Sequence, residues 1–417
     1  MTILIRLKVQ GDLNTIFTNT SGGLMLFQTL DDKKECVSIY IDGEMTPHLP
    51  IDISRTWNYS NFLIDKDVDY AQIYCGGQSL NDICPAHLLP QWQKVYNSLK
   101  AYYRSFGTSK IDLSENCFFD MVPKRFLMEY CEAKNEICEW IFQKYDRPEN
   151  YNLLVNAQKV ISDMKYRQLN LDVSYMKKYF HEKRARDLMK EYSTREAYCD
   201  FNLYGSKTGR LATMPNSFPI HNLKKEYRGM INCNNDFFIE LDYNAAEARV
   251  VLGLLGKEQP DDDIHEYHAD KLYRGLLTRD EAKTRFFSWL YNPESEDYLS
   301  NREYDRQSLL NEYYKNSKIS TVFNRNINCD FAHAFNYLIQ STCADMVLEK
   351  MHNVFDMLRN RKSYIAFTLH DSIIIDFSSE DKGLLPFILT EFQNTRFGKF
   401  KISVHAGENY GNLKKIK

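Results

Sequence analysis

Apolar and polar positions alternate along the first 80 or so residues, in runs such as GLMLF (23–27) and VSIYI (37–41) broken by turn residues. That period of two predicts strands. From about Leu88 the apolar spacing lengthens to three and four, which predicts helices over 91–103, 124–142 and 152–164. A polar, basic helix pair is expected over 174–194. A turn-rich segment, YGSKTGR (204–210), then precedes an apolar strand, FFIEL (237–241), that runs into Asp242. Residues 245–256 read as a helix ending near Gly256, and helices continue to about Met357. Two apolar strands, 364–369 and 372–377, make a hairpin with His370 and Asp371 at its tip. Strands, then helices, then strands predict an α+β fold with an antiparallel sheet, not a series of βαβ units.

A length of 417 residues predicts two or more domains. No run of about 18 apolar residues is present, so no membrane span is expected. The opening MTILIRLKVQGDL is charged too early for a secretory signal. The ten cysteines are scattered, with no C-x-x-C pair, and read as reduced thiols of a cytoplasmic protein without structural zinc. The net charge of −3 hides segregation. Between 159 and 190 basic residues outnumber acidic ones about two to one, and Lys207, Arg210, Lys224, Lys225 and Arg228 follow. Such a stretch alone reads equally as a solvated helix face; joined to suitable chemistry it reads as a nucleic-acid surface.

That chemistry starts with two aspartates on apolar β-runs, Asp242 after FFIEL and Asp371 within FTLHDSIII. A carboxylate there is costly unless it binds something. Two of them on one sheet would hold two Mg²⁺ ions for phosphoryl transfer, whereas either alone is as well explained as a turn residue. Arg279, Lys283, Phe287 and Tyr291 recur every four residues and would share one helix face. Two cations followed by two aromatics suit a triphosphate, a sugar and a base, although an amphipathic helix would show the same spacing.

Taken in order, the segments resemble family A DNA polymerases, the bacterial DNA polymerase I family. DYNAAEAR (242–249) is similar to the first motif, D-Y-S-Q-I-E-L-R; RDEAKTRFFSWLYN (279–292) to the second, R-x3-K-x3-F-x3-Y-G; and LHDS (369–372) to the third, V-H-D-E. KTGRLATMPNSFPI (207–220), DIH (263–265), NYLIQSTCAD (336–345) and GENYG (407–411) fall in the family's order around them. The resemblance covers roughly 150–417.

The resemblance implies a right-hand fold: thumb 116–203, palm 204–250 with 336–417, and fingers 251–335. Asp242 and Asp371 would bind the two Mg²⁺ ions, with the Tyr243 carbonyl assisting. Arg279 and Lys283 would bind the dNTP triphosphate, with Lys283 the proton donor to pyrophosphate. Phe287 would pack on the sugar, Tyr291 would close the pocket, and Glu247 would exclude a 2′-hydroxyl. Arg210, Asn336 and Gln340 would contact primer–template DNA, and His370 the primer end. A compact, phage-type, monomeric enzyme is expected, with its accessory factors unspecified.

Three departures stand out: Ser372 replaces a Glu, Asn292 replaces a Gly, and Asn244-Ala245-Ala246 replaces S-Q-I. The segment 1–115 is too short for a full 3′-5′ exonuclease. Its Asp42-Gly43-Glu44 and Asn61/Asp65 echo that chemistry only faintly, so an inactive remnant is expected. A single-subunit RNA polymerase and an inactive DNA-binding relative are the alternatives. Glu247 argues against the first, and the presence of Asp242, Asp371, Arg279 and Lys283 against the second.

Overall fold

The structure, a computed structural model, describes residues 26–27, 39–41, 43–46, 53–111, 116–215 and 217–416. In the N-terminal part, Leu26–Phe27, Arg55–Thr56 and Asp69–Tyr70 form a small parallel sheet, and Ile39–Ile41 pairs with Glu44–Thr46 as a hairpin. Gly43 takes a φ of 87° in its turn, where a side chain would be strained. Helical structure begins earlier than the apolar spacing suggests, with Ala71–Tyr74 and Leu80–Ile83. Single turns are too short to show a period.

The expected helices are present as Leu89–Thr108, Lys124–Lys144 and Tyr151–Lys165. Leu154, Ala157, Val160, Ile161 and Met164 line the buried face of the third. That face packs along a 28-residue helix, Phe331–Leu358. The expected helix pair over 174–194 is instead a 3₁₀ segment, Val173–Tyr179, and one α-helix, Lys183–Tyr192. Asp172 caps the 3₁₀ segment by accepting from the Ser174 N–H. A tight side-chain cap of this kind favours a short turn over a long helix.

A five-stranded antiparallel sheet carries Asp242, with Asp371 in the turn between two of its strands. Its strands are β1 (Phe237–Tyr243), β2 (Tyr364–Leu369), β3 (Ser372–Phe377), β4 (Ile402–Gly407) and β5 (Lys414–Lys415), in the spatial order β2-β3-β1-β4-β5. Alternation on β1 turns Ile239, Leu241 and Tyr243 to one face and Phe238, Glu240 and Asp242 to the other. The strand continues through Asp242 to Tyr243, two residues beyond the apolar run. β2 and β3 meet in a two-residue turn, with Leu369 opposite Ser372.

A second apolar cluster gathers residues between Ala248 and Ile339, including Leu272, Phe286, Trp289, Tyr304 and Leu338. It unites helix α1 (Ala246–Leu254), helix α2 (Arg279–Tyr291), four short helical segments, the start of the Phe331–Leu358 helix and a three-stranded meander (Tyr314–Lys315, Lys318–Ser320, Asn326–Asn328). Thr278 and Glu281 form a reciprocal capping box that starts α2. Burying Phe286 and Trp289 stabilises the cluster by roughly 2–3 kcal/mol each. Among the described residues no helix is long and apolar enough to cross a membrane.

Candidate active site

Asp242 pairs across the sheet with Ser372 on one side and Ser403 on the other. Asp371 directly precedes Ser372, so register alone brings the two aspartates from 129 positions apart to neighbouring strand ends. His370, beside Asp371, has a φ of 55°, and Ala245, between Asp242 and Glu247, has a φ of 52°. Both are non-glycine residues in the left-handed region, a strain of about 1–3 kcal/mol each that the surrounding structure must hold.

Burial, then the Glu240 charge, then Asp371 push the Asp242 carboxyl up to about 7. Burial also raises Asp371, opposed by the Arg210 and His370 charges and a hydrogen bond with Cys343. Like charges held together in a dry setting suit a divalent cation, which would relieve both penalties. Among the described residues no set of three His, Cys, Asp or Glu side chains converges to cage an ion.

Glu247, on the first turn of α1, is 4 % exposed. Its two oxygens accept from the Arg210 guanidinium and the Tyr291 hydroxyl. Phe287 stacks on Tyr291, with ring centroids 5.8 Å apart and planes 13° from parallel. The predicted stripe on α2 runs along one side of the helix, and Ala282, Phe286 and Trp289 on the adjoining side are buried. Arg279 starts that face and pairs with Asp263 at 2.8 Å and Asp280 at 3.1 Å. Lys283 is exposed one turn further on.

The remaining predicted residues spread around this centre. The Tyr243 side chain turns away, donating to the Phe392 carbonyl and stacking on its ring at 4.3 Å, so any part it has is played by its backbone. His370 is exposed and stacks on His221 at 5.8 Å. Arg210, His221, Ala344, Met351, His370 and Asp371 line one small cavity of about 40 Å³. Asn336 and Gln340 lie half-buried on one face of helix α3 (Phe331–Leu358), and the Asn336 Oδ1 is buried without a hydrogen-bond partner.

Several supporting residues lie inside the quoted motifs but were given no role there. Asp345 is fully buried and binds Arg325 through two oxygens, at 2.6 and 2.9 Å. Gly209 lies against that guanidinium; a Cβ there would come within 2.5 Å of Arg325 Cζ. Arg249, 0 % exposed, donates to the carbonyls of Asn244, Pro260 and Asp262. It thereby fixes the loop that carries Asp263. Asp263 in turn accepts from Asn244 Nδ2 at 2.8 Å and from two N–H groups of its own short helix. These bonds and Arg279 keep its carboxyl well below the usual range despite burial.

Among the described residues the N-terminal exonuclease candidates are not gathered. Asp42 lies outside the described residues. Glu44 is exposed on its hairpin, Asn61 donates to the Ser162 carbonyl, and Asp65 pairs with Arg359 at 3.0 Å.

No family model matches the chain, and a search of curated proteins finds no match. Among solved structures it is similar to the POL domain of Pol1 from M. smegmatis, solved in complex with DNA primer-template and dNTP. The TM-score is 0.56 over 69 % of this chain and 76 % of that one, at 14 % identity. The likeness is one of fold: this chain folds like a DNA polymerase domain.

Proposed function

We propose that this protein is a template-directed DNA polymerase that extends a primer 3′ end with dNTPs. The observation that carries the reading is the single site formed by Asp242, Asp371, Glu247 and the α2 face. Asp242 and Asp371 stand at neighbouring strand ends, and β1 leads directly into α1, whose buried Glu247 is hydrogen-bonded to the last residue of the Arg279–Lys283–Phe287–Tyr291 stripe. The shared fold with a polymerase domain supports it.

In this reading 204–250 and 336–417 are the palm, 251–335 the fingers, 116–203 the thumb, and 1–115 a remnant without exonuclease activity. Asp242 and Asp371 would hold two Mg²⁺ ions, which when bound would supply activation of the primer hydroxyl and charge neutralisation at the transferring phosphoryl group. Arg279 and Lys283 engage the triphosphate as charged donors. Arg279 is pre-aimed by Asp263 and exchanges one carboxylate partner for phosphate oxygens. Lys283, free to move on an exposed turn, donates a proton to the leaving pyrophosphate. Phe287 and Tyr291 pack on the incoming sugar and base. Arg210, Asn336, Gln340 and His370 border the cleft where primer–template would lie. The orphan Asn336 Oδ1 is an acceptor awaiting a donor on a base edge.

The test is primer extension on one primer–template with dNTPs and with rNTPs, using wild type, Asp242→Ala and Asp371→Ala. Wild type should extend with dNTPs, and both variants should lose extension while still binding the DNA. Substantial extension by either variant at saturating Mg²⁺ would sink the two-metal reading. A preference for rNTPs would make the chain an RNA polymerase.

A further inference from the structure

The turn that carries Asp371 is built on a histidine where a glycine would be unstrained. Leu369 stands opposite Ser372, so His370 and Asp371 are the two turn residues, and His370 takes a φ of 55°. Turns this tight favour glycine or asparagine at such a position. His370 is exposed, and among the described residues its ring makes no hydrogen bond. One ring contact orients it: His370 stacks on His221, with centroids 5.8 Å apart and planes 21° from parallel. The cavity of about 40 Å³ that both rings line would otherwise leave His370 room to turn.

His221 is itself anchored. It sits in a 3₁₀ turn, Ile220–Asn222, whose Ile220 is buried. Its Nε2 lies 3.2 Å from the Thr368 carbonyl on β2, the strand that leads into His370. A carbonyl only accepts, so that nitrogen carries the proton. The ring also meets the buried ring of Phe201, with centroids 5.2 Å apart. Phe201–Asn202 pairs with Ala212–Thr213 and so closes the loop that bears Arg210. Three rings in series, Phe201, His221 and His370, therefore run from the core to the exposed turn beside Asp371. Ring contacts at these separations favour one orientation over others.

We propose that His221 is a positioning residue for primer extension, holding the His370 ring as a fixed platform against the last nucleotide of the primer. The inference rests on the polymerase reading and adds a residue outside the metal, triphosphate and sugar contacts. A ring free to turn would still meet the primer but would let its 3′ hydroxyl wander. A misplacement of about 1 Å can cost a hundredfold in rate. His221 therefore acts on the rate of nucleotide addition and not on affinity for DNA or dNTP.

The test is single-turnover primer extension by the full chain, with thermal melting and the fluorescence of 2-aminopurine placed at the primer 3′ end or inside the duplex. His221→Ala should slow nucleotide addition by about ten- to a hundredfold, with the Kd for DNA and for dNTP unchanged. It should alter the fluorescence of the terminal probe and leave the internal one as in wild type. His221→Phe keeps a ring and should recover most of the rate. His221→Gln keeps a donor for the Thr368 carbonyl without a ring and should not. In a His370→Ala background, His221→Ala should have no further effect, which a loss of folding would not reproduce. Full rate in a normally folded His221→Ala variant, or additive losses in the double variant, overturns the proposal. Should His221→Ala melt early, equal rates in His221→Phe and His221→Gln overturn it instead. Asp242→Asn separates the two levels. If wild type fails to extend, or Asp242→Asn extends normally, the polymerase site itself is misassigned; if Asp242→Asn is inactive while the His221 variants keep the wild-type rate, only the role of His221 falls.

Discussion

Tyr291 donates its hydroxyl hydrogen to Glu247, joining the last turn of α2 to the first turn of α1 across 44 positions of sequence. Arg210 occupies the other oxygen, so the carboxylate is held from both sides and cannot swing out of the pocket. Under the proposed function, a filled and rigid position beneath the nucleotide sugar would exclude a 2′-hydroxyl by overlap, where a deoxyribose would fit. Glu247→Ala should therefore lower the ratio of kcat/KM for dCTP to that for CTP by at least about tenfold, the scale of discrimination by shape. Glu247→Gln keeps the bulk and should retain most of the ratio. Steady-state kinetics on one primer–template checks both; an unchanged ratio in the alanine variant removes Glu247 from sugar selection.

The Arg325–Asp345 pair should be a stability determinant with a functional consequence. Asp345 has no solvent exposure and the Arg325 side chain only 12 %. Removing one partner leaves a buried unpaired charge, so Asp345→Ala should cost about 3–5 kcal/mol in urea unfolding. Replacing both, as Arg325→Met with Asp345→Leu, should restore most of the loss. Gly209 needs separate treatment. Its φ of +79° and the 2.5 Å approach to Arg325 both oppose a side chain. Gly209→Ala should shift the Arg210 loop and weaken primer–template binding with a smaller loss of stability. Equal losses of stability and binding in that variant would argue against a loop shift.

Arg279 and Lys283 sit on the exposed face of α2, and their removal should not unfold the protein. Arg279→Ala should raise the dNTP KM by about one to two powers of ten through loss of a charge-assisted contact to phosphate. Lys283→Ala should act mainly on kcat, because a proton donor matters in the transition state and not in binding. Single-turnover kinetics separates the two. A pure KM effect for Lys283→Ala would assign it to binding alone.

Local signals made the sheet hairpin and the main helices legible, since they follow from apolar period and turn position. His370 and Asp371 fall at the tip of β2–β3 as the sequence predicts. The stripe on α2 was legible for the same reason. What holds the site in place was not. Arg325 finds Asp345, Arg279 finds Asp263 and Arg249 finds the 260–262 carbonyls only after the chain has folded back, and none of these pairs leaves a period or spacing behind. The cross-strand partners of Asp242, Ser372 and Ser403, were hidden in another way, because register is a property of three strands together.

Acid stability offers a test of the second core that is independent of catalysis. His265 and His268 are 3 % and 0 % exposed, and each has a buried Nδ1 without a partner. Burial pushes His265 down to about 4 and His268 to about 3. For His265 the Asp263 charge opposes this, while Lys283, Arg279 and Arg249 reinforce it. Both rings are therefore neutral in the fold at pH values where the unfolded chain, near 6.5, takes up protons. Their contribution to stability is complete above about 6.5 and is lost as pH falls toward the folded values. At pH 5 the loss is on the order of 2 kcal/mol per histidine relative to pH 7. Buried Asp242, with its carboxyl pushed up to about 7, works in the opposite direction over this range, so the informative quantity is a difference between proteins. His268→Gln keeps a donor for the Tyr304 hydroxyl, which contacts the His268 Nε2, and cannot titrate. Its unfolding free energy in urea should fall less than that of wild type between pH 7 and pH 5, by about one histidine's share. Parallel curves for the two proteins would mean that His268 is not buried neutral in this core.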